Sequence, residues 1–385
     1  MREATASAPG KVNLVLRAGV PDSRGYHPLV TVFECVELRE TVRVRTTRSP
    51  GVRVHTTVRR ADGSVDAKVC AEMDALPPAR HLAARAARSM QRLAAAGPWA
   101  QTAAGVEITV DKRVPVAGGM AGGSADAAAT LVACNELWDL GLDADHLQAL
   151  GRTLGADVPA CLVGGIALGT GRGDHMRLLR AGEPEPLHGE PESPHSGADT
   201  LHGGDAFLHA PTSPAGEAPP GGDVRAARGA TCLPSHHWAL ALSDRGLSTP
   251  EFFAALDAAG GPQGGWQPQP VLDPETHGRL VGPAETLAPL LANDLTAPAL
   301  SLHPGLARTR DIAREAGALG VLLSGSGPTV AALARDGDHA QELAHAGAGA
   351  PGVAQVLPTR GPAAGALQSP GTRPTSGHPS REGRR

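Results

Sequence analysis

The chain has 385 residues, enough for about two domains. Its net charge of −4, with both signs interspersed, gives no electrostatic reason to expect nucleic acid or an acidic membrane as a partner. No apolar run approaches the roughly 20 residues that cross a bilayer, and residues 1–12 lack the apolar segment of a secretory signal. We therefore expect a cytoplasmic protein that acts on a small molecule.

The cysteine pattern agrees with that compartment. The number of cysteines, five, is odd, and they form no C-x-x-C pair. We predict buried thiols rather than disulfides or zinc ligands. The cysteines are Cys35, Cys70, Cys134, Cys161 and Cys232.

The first strand-like segment covers residues 8–16. Its alternation places Val12 and Leu14 on one face and Lys11 and Asn13 on the other. A lysine and an amide projecting together can hold a hydroxyl and a phosphate, although a lysine in such a place is often only solvated.

A turn containing Gly25, Tyr26 and His27 leads into the next strand, residues 29–33. Tyr26 is the chain's single tyrosine. A tyrosine beside a histidine at a strand entry can stack on a flat ligand such as a nucleobase, or it can pack on the core. The residues alone leave both roles open.

A helix is predicted near residues 79–95, with Leu82, Ala86, Met90 and Leu93 on one face. It is followed by a strand over residues 106–110.

A glycine-rich loop joins that strand to a second helical pattern, which includes Ala127 and Leu131. The N–H groups at a helix N-terminus favour an anion, and small residues let phosphate oxygens approach the backbone. The loop fits neither the Walker pattern nor G-x-G-x-x-G, and a flexible linker is the alternative. The hydroxyl of Ser124 can face a phosphate or its metal. The predicted phosphate-binding residues are Pro115, Val116, Ala117, Gly118, Gly119, Met120, Ala121, Gly122, Gly123, Ser124 and Ala125.

Two further segments carry candidate chemistry. Asp157 lies between small and apolar neighbours, as a helix cap or a partly buried catalytic group would. A late strand–turn–strand segment is either a tight hairpin or a second backbone surface that closes over a phosphate chain. Its turn residues are Ser324, Gly325, Ser326 and Gly327.

Composition divides the chain into four parts. We predict an N-terminal domain over 1–180, a disordered acidic Pro/Gly-rich insertion over 181–235, a C-terminal domain over 236–360 and a disordered tail over 361–385. Residues 260–269 are predicted to be a surface loop. The insertion carries histidines at seven-residue spacing, which we interpret as solvated rather than metal-binding because the intervening prolines forbid a helix. They are His188, His195, His202 and His209.

The order of an A-P-G-K strand, a P-x-x-G-G-M-A-G-G-S loop and a late S-G-S-G-P-T turn resembles the three motifs of the GHMP small-molecule kinases. The resemblance covers roughly residues 8–180 and 237–365. It implies an α+β fold of two domains with the active site in the cleft between them. Asn13 and the Gly-Tyr-His turn point to the branch that acts on a cytidylyl alcohol, whereas His81 stands where an asparagine near the adenine is common.

The resemblance also implies roles. ATP would lie along the glycine-rich loop with Mg²⁺ on its phosphates, and Lys11 and Asp157 would be catalytic. Asn13, Tyr26 and His27 would bind substrate, with Ser124 a candidate metal ligand. The implied reaction is phosphorylation of the 2-hydroxyl of 4-(cytidine 5′-diphospho)-2-C-methyl-D-erythritol in the non-mevalonate isoprenoid route, by a monomer or homodimer. The alternatives are a kinase of this family for mevalonate, homoserine or a sugar, and a non-catalytic ligand-binding relative.

Overall fold

A computed structural model describes residues 2–182, 233–244, 249–262, 265–266 and 272–369. The four histidines at seven-residue spacing, Cys232 and most of the predicted insertion lie outside these residues. None of the helices in the described ranges is long and apolar enough to span a membrane.

The N-terminal half contains a mixed sheet covered by helices. Its strands are β1 (Glu3–Ala18), β2 (Leu29–Thr46), β3 (Gly51–Val58), β4 (Gly105–Lys112), β5 (Ile166–Thr170) and β6 (His175–Leu178). Its helices are α1 (Ala67–Asp74), α2 (Leu82–Ala95), α3 (Gly122–Leu137), α4 (Ala144–Leu154) and α5 (Val158–Val163).

The C-terminal half adds a second layer of sheet and helices. Its strands are β7 (His236–Ser243), β8 (Ala292–Asn293), β9 (Gly320–Leu323), β10 (Val330–Ala334), β11 (Val353–Gly361) and β12 (Leu367–Gln368). Its helices are α6 (Thr249–Ala258), α7 (Pro274–Leu280), α8 (Ala284–Leu287), α9 (Thr296–Leu302), α10 (Gly305–Glu315) and α11 (Gly337–Gly347), with a 3₁₀ turn at Ala288–Leu290.

The first sheet has eight strands and runs in the order β12-β1-β2-β4-β3, with β5 on β2, β6 on β5 and β8 on β1. Pairs β3–β4 and β1–β8 are parallel, and the others are antiparallel. The second sheet is antiparallel, in the order β11-β7-β10-β9. Because β8 and β12 join the first sheet, the C-terminal half completes the sheet of the N-terminal half.

The core between the first sheet and its helices is built largely from small side chains. Helix α3 buries 11 of its 16 residues, and five of these are alanines. Alanine lets backbones approach closely without loss of side-chain entropy. Aromatic residues make up 2% of the chain, and Trp138 and Trp238 are the largest fully buried side chains among the described residues. In α2 the buried residues include Ala86 and Met90, whereas Leu93, predicted on the same face, is exposed.

The prediction of a disordered tail over 361–385 is wrong for residues 361–369, which are ordered. The backbone N–H of Ala363 donates to Cys35 O at 2.8 Å, and Leu367–Gln368 pairs with β1. The side chain of Arg39 donates to Gly365 O at 2.7 Å. Composition could not reveal this order, because long-range backbone hydrogen bonds hold the segment in place.

The described cysteines are free thiols, as predicted. Cys35, Cys134 and Cys161 are buried, and Cys70 is half-buried. Burial raises the pKa of the Cys35 thiol to about 12, so it stays protonated at neutral pH.

Candidate active site

The glycine-rich loop leads directly into α3, as predicted, and its backbone is unusual. Ala117, Gly119 and Ala121 all have φ in the left-handed region, at 55°, 74° and 62°. This conformation costs an alanine about 1 kcal/mol or more, so the surroundings must impose it. At Gly119 a Cβ would also collide with the backbone oxygens of Ser324 and Gly327. The loop and the late turn are therefore in direct contact.

Three distant segments meet at the carbonyl of Gly119. Its oxygen accepts hydrogen bonds from Lys11 Nζ at 2.9 Å and from Ser324 Oγ at 3.2 Å. The backbone N–H of Lys11 donates to the next carbonyl, Met120 O, at 3.1 Å. The three motifs of the sequence are thus joined by hydrogen bonds among residues more than 100 positions apart.

Lys11 and Asn13 project together, as the strand alternation predicts. Lys11 Nζ donates to Asn13 Oδ1 at 2.6 Å and lies 3.6 Å from Asp157 Oδ2. Asn13 Nδ2 in turn donates to Thr31 Oγ1 at 2.9 Å. The Lys11 and Asn13 side chains are buried, whereas the Asp157 side chain is 35% exposed. The carboxylate of Asp157 is therefore accessible to a ligand, whereas the ammonium group of Lys11 is buried next to it.

Asp157 precedes α5 but does not cap it through its side chain. Asp157 thus occupies the N-cap position of α5 without a side-chain capping bond, and its catalytic role stays a prediction. The carboxylate faces the cavity beside Lys11.

A cavity of about 780 Å³ surrounds these groups. Residues of both halves of the chain line it, including Gly325 and Ser326 of the late turn. Asn293 Nδ2 fixes that turn by donating to the carbonyl oxygens of Leu323 and Gly325, both at 2.7 Å.

Tyr26 and His27 lie in the same cavity. His27 Nδ1 is 2.9 Å from Gly19 O, and because a carbonyl only accepts, Nδ1 carries the hydrogen. The imidazole stacks on the rings of Phe253 and Trp266, with centroids 5.1 and 5.4 Å apart. Tyr26 does not pack on the core, since it is 56% exposed.

Several residues that line or flank the cavity were not predicted from the sequence. Arg172, Phe253 and Asp257 line the cavity, and Asp257 Oδ1 lies 3.3 Å from His27 Nε2. Trp266 lies in the stretch predicted to be only a surface loop. One signal was available, because two of the chain's four phenylalanines are adjacent at positions 252 and 253.

His81 is turned away from the cavity. It precedes α2, is buried, and places Nε2 3.4 Å from Thr56 Oγ1. Burial lowers the pKa of its imidazole. The neighbouring Leu82 lines the cavity instead.

A buried ion cluster lies beneath the start of α3. Lys112 Nζ donates to Glu40 Oε1 at 2.7 Å and to Asp126 Oδ2 at 2.8 Å, and Arg113 N donates to Glu40 Oε2 at 2.7 Å. Burial raises the pKa of Glu40, although the charge and hydrogen bond of Lys112 oppose this shift. The cluster ties β2, β4 and α3 together directly below the loop.

The residues of the site fit a magnesium ion that arrives with nucleotide phosphates. Among the described residues, no group of three or more His, Cys, Asp or Glu side chains forms a metal site. The half-buried Ser124 hydroxyl lines the cavity at the start of α3, beside the loop. Magnesium usually keeps several waters and takes other ligands from substrate phosphates, so a site with few protein ligands is compatible with it.

Models of the GHMP kinases match here, the N-terminal domain at residues 81–165 and the C-terminal domain at residues 279–351. The chain belongs to the GHMP kinase family, as an ATP-dependent small-molecule kinase with the predicted α+β architecture.

The relatives of the chain indicate which branch of the GHMP kinase family it is most similar to. The protein named 4-diphosphocytidyl-2-C-methyl-D-erythritol kinase from Cutibacterium acnes is 36% identical over 95% of this chain and 97% of its own length. The protein of the same name from Rhodococcus jostii is 38% identical over 95% of this chain and 94% of its own. A crystal structure of 4-(cytidine 5′-diphospho)-2C-methyl-D-erythritol kinase superposes with TM-score 0.61 and 26% identity, covering 92% of this chain and 98% of that one.

Other small-molecule kinases share the fold alone. A homoserine kinase structure from Cytophaga hutchinsonii matches with TM-score 0.54 at 16% identity, over 96% of this chain and 98% of that one.

Proposed function

We propose that this chain transfers the γ-phosphoryl group of ATP to the 2-hydroxyl of 4-(cytidine 5′-diphospho)-2-C-methyl-D-erythritol, a step of the non-mevalonate isoprenoid route. The observation that carries the proposal is the meeting of Lys11, Asp157 and the glycine-rich loop in one cavity that also holds Tyr26 and His27. The relatives of the same name support the choice of substrate.

The nucleotide would lie along Pro115 to Ala125. Its phosphates would face the N–H groups at the start of α3, where the helix dipole favours negative charge. Leu82 offers an apolar surface for the adenine at this side of the cavity. Mg²⁺ bound to the phosphates, with Ser124 as a candidate ligand, would neutralise part of their charge.

The acceptor hydroxyl would be placed between Asp157 and the γ-phosphate. An alcohol is a poor nucleophile at neutral pH, so Asp157 accepts its proton as phosphoryl transfer proceeds. Lys11 offsets the charge that develops, and its contacts with Asn13 and Gly119 hold the ammonium group in place. Positioning and electrostatics supply most of the acceleration.

The base would lie at the other end of the cavity. The exposed ring of Tyr26 offers a stacking surface for cytosine. The fixed Nδ1–H of His27 leaves Nε2 toward the cavity side, beside Asp257. We place the protein in the cytoplasm, where it would act as a monomer or homodimer.

A coupled assay of ATP consumption tests the proposal. The purified chain is given the cytidylyl alcohol, mevalonate, homoserine or a sugar in parallel. We expect turnover with the cytidylyl alcohol alone. Preference for another alcohol would assign a different kinase activity within the family, and no consumption with any of them would indicate a ligand-binding relative.

A further inference from the structure

The cavity contains few permanent positive charges. Among the described residues that line it, Lys11 and Arg172 are the lysine and arginine side chains, and they are accompanied by the carboxylates of Asp157 and Asp257. Lys11 has three N–H donors, and three oxygen atoms of the protein already lie close to its ammonium group. Arg172 is therefore the cation with capacity for a further anion.

Arg172 is held in place by its own turn, which joins β5 to β6. Its backbone N–H donates to Asp174 Oδ1 at 3.2 Å, and its guanidinium donates to Asp174 Oδ2 at 3.1 Å. The Asp174 side chain is buried, whereas that of Arg172 is 54% exposed. A guanidinium carries five N–H donors, so one bond to Asp174 fixes its orientation and leaves others for a ligand.

Arg172 is also next to the proposed base site. Its Cζ lies 5.7 Å from the centroid of the Tyr26 ring. Between the base at Tyr26 and the hydroxyl at Asp157, the proposed substrate carries two phosphates. Those phosphates must pass through the same cavity as the triphosphate of ATP, whose negative charge they would repel.

We infer that Arg172 binds the diphosphate of a cytidine diphosphate ligand and thereby selects substrates that carry this group. The inference rests on the proposed function. A guanidinium meets phosphate oxygens with two parallel N–H bonds, which gives geometric selectivity as well as affinity. Its position 5.7 Å from the centroid of the Tyr26 ring puts the guanidinium beside the proposed base site.

Calorimetric titration of the full chain with cytidine and with cytidine 5′-diphosphate separates the phosphate contact from the base contact. We expect the wild type to bind the diphosphate more tightly than the nucleoside. Arg172→Ala should weaken cytidine diphosphate binding about tenfold to a hundredfold, the range of a hydrogen bond to a charged group, and change cytidine affinity by less than about twofold. Arg172→Lys keeps the positive charge but loses the planar guanidinium. Its affinity for cytidine diphosphate should lie between those of the wild type and Arg172→Ala.

Arg177→Ala is the matched control, because Arg177 lies on β6 of the same hairpin and does not line the cavity. It should leave both affinities unchanged. Equal loss of both ligands in Arg172→Ala would show that Arg172 acts on the base through Tyr26, and unchanged affinities would show no role. Either result overturns the inference.

The kinase assay separates this inference from the proposed function. If the wild type phosphorylates the cytidylyl alcohol and Arg172→Ala has an unchanged KM, the function stands and the inference fails. If the wild type shows no turnover, the function fails, and the two titrations still decide whether Arg172 recognises the diphosphate. A wild type that binds cytidine diphosphate no better than cytidine contradicts the inference.

Discussion

The two ends of the cavity are built in different ways. At the phosphate end the site is formed mainly by backbone. It has residues in the left-handed conformation and the Gly119 carbonyl, which accepts hydrogen bonds from Lys11 and Ser324. At the base end the surfaces are side chains, including the exposed ring of Tyr26 and the stack of His27 on Phe253. A site built from backbone tolerates few substitutions, whereas substitutions in a site built from side chains can change binding alone. We therefore expect variants at the phosphate end to lose turnover and variants at the base end to lose affinity.

The largest effect is expected at the acceptor hydroxyl. Asp157→Asn should lower kcat at least about a hundredfold, because an amide cannot accept the proton of the alcohol. The fold should be retained, since the Asp157 side chain makes no helix-capping bond. Steady-state kinetics and a thermal melt measure both quantities. Near-normal turnover would remove Asp157 as the base.

Gly119→Ala should come next. The new Cβ would enter a left-handed residue and meet the backbone of Ser324 and Gly327. We expect a loss of about 2 to 4 kcal/mol in the free energy of unfolding and a fall of at least about tenfold in kcat, from overpacking and loop displacement.

Gly141→Ala separates the effect of contact with the late turn from the effect of the left-handed backbone conformation. Gly141 also has a positive φ, 65°, but a Cβ there would meet nothing within 4 Å. It should cost about 1 kcal/mol in urea unfolding and leave kcat unchanged. Equal effects of the two substitutions would mean that contact with the late turn is unimportant.

Tyr26→Ala tests the base end. Loss of a stacked base costs about 1 to 3 kcal/mol, so KM for the cytidylyl alcohol should rise roughly tenfold to a hundredfold while kcat changes little. Tyr26→Phe keeps the ring and should stay close to wild type. An unchanged KM in Tyr26→Ala would refute stacking on this residue.

The smallest effect is a pH dependence of stability away from the cavity. His236 on β7 places Nε2 2.8 Å from Gly282 O and Nδ1 3.0 Å from Glu34 Oε1, so both nitrogens face acceptors. Burial alone would lower the pKa of His236, but the hydrogen bond and charge of Glu34 outweigh it and raise the pKa. The stabilisation is therefore complete below about pH 6.5, the unfolded pKa, and is lost as pH rises through the higher folded pKa.

Thermal melts of wild type and His236→Gln between about pH 5.5 and about pH 8.5 measure this effect. The difference in Tm should be largest at the acid end and shrink as pH rises. His345→Gln, at an exposed position on α11, should show no such trend. A difference that is constant with pH would mean that His236 is neutral in the fold.

The same contrast explains what could be predicted from the sequence. Lys11 and Asn13 follow from strand alternation, and the glycine-rich loop follows from a small-residue run between a strand and a helix. Arg172 and Asp257 could not be found this way, because a hairpin turn and α6 reach the cavity only through long-range packing. Trp266 could not be found either, because it stacks on His27 from a distant part of the chain. The ordered segment at Leu367–Gln368 escaped for the same reason, since its pairing with β1 has no local signal.

In the proposed reaction, Asp157 and Lys11 meet one acceptor oxygen under the glycine-rich loop, because distant motifs of the chain converge there. A crystal structure of the chain with the cytidylyl alcohol and a non-hydrolysable ATP analogue tests it most directly. We expect the 2-hydroxyl oxygen within about 3.2 Å of an Asp157 carboxylate oxygen and in line with the γ-phosphorus. A 2-hydroxyl bound away from Asp157, or a triphosphate bound away from residues 115–125, would contradict it.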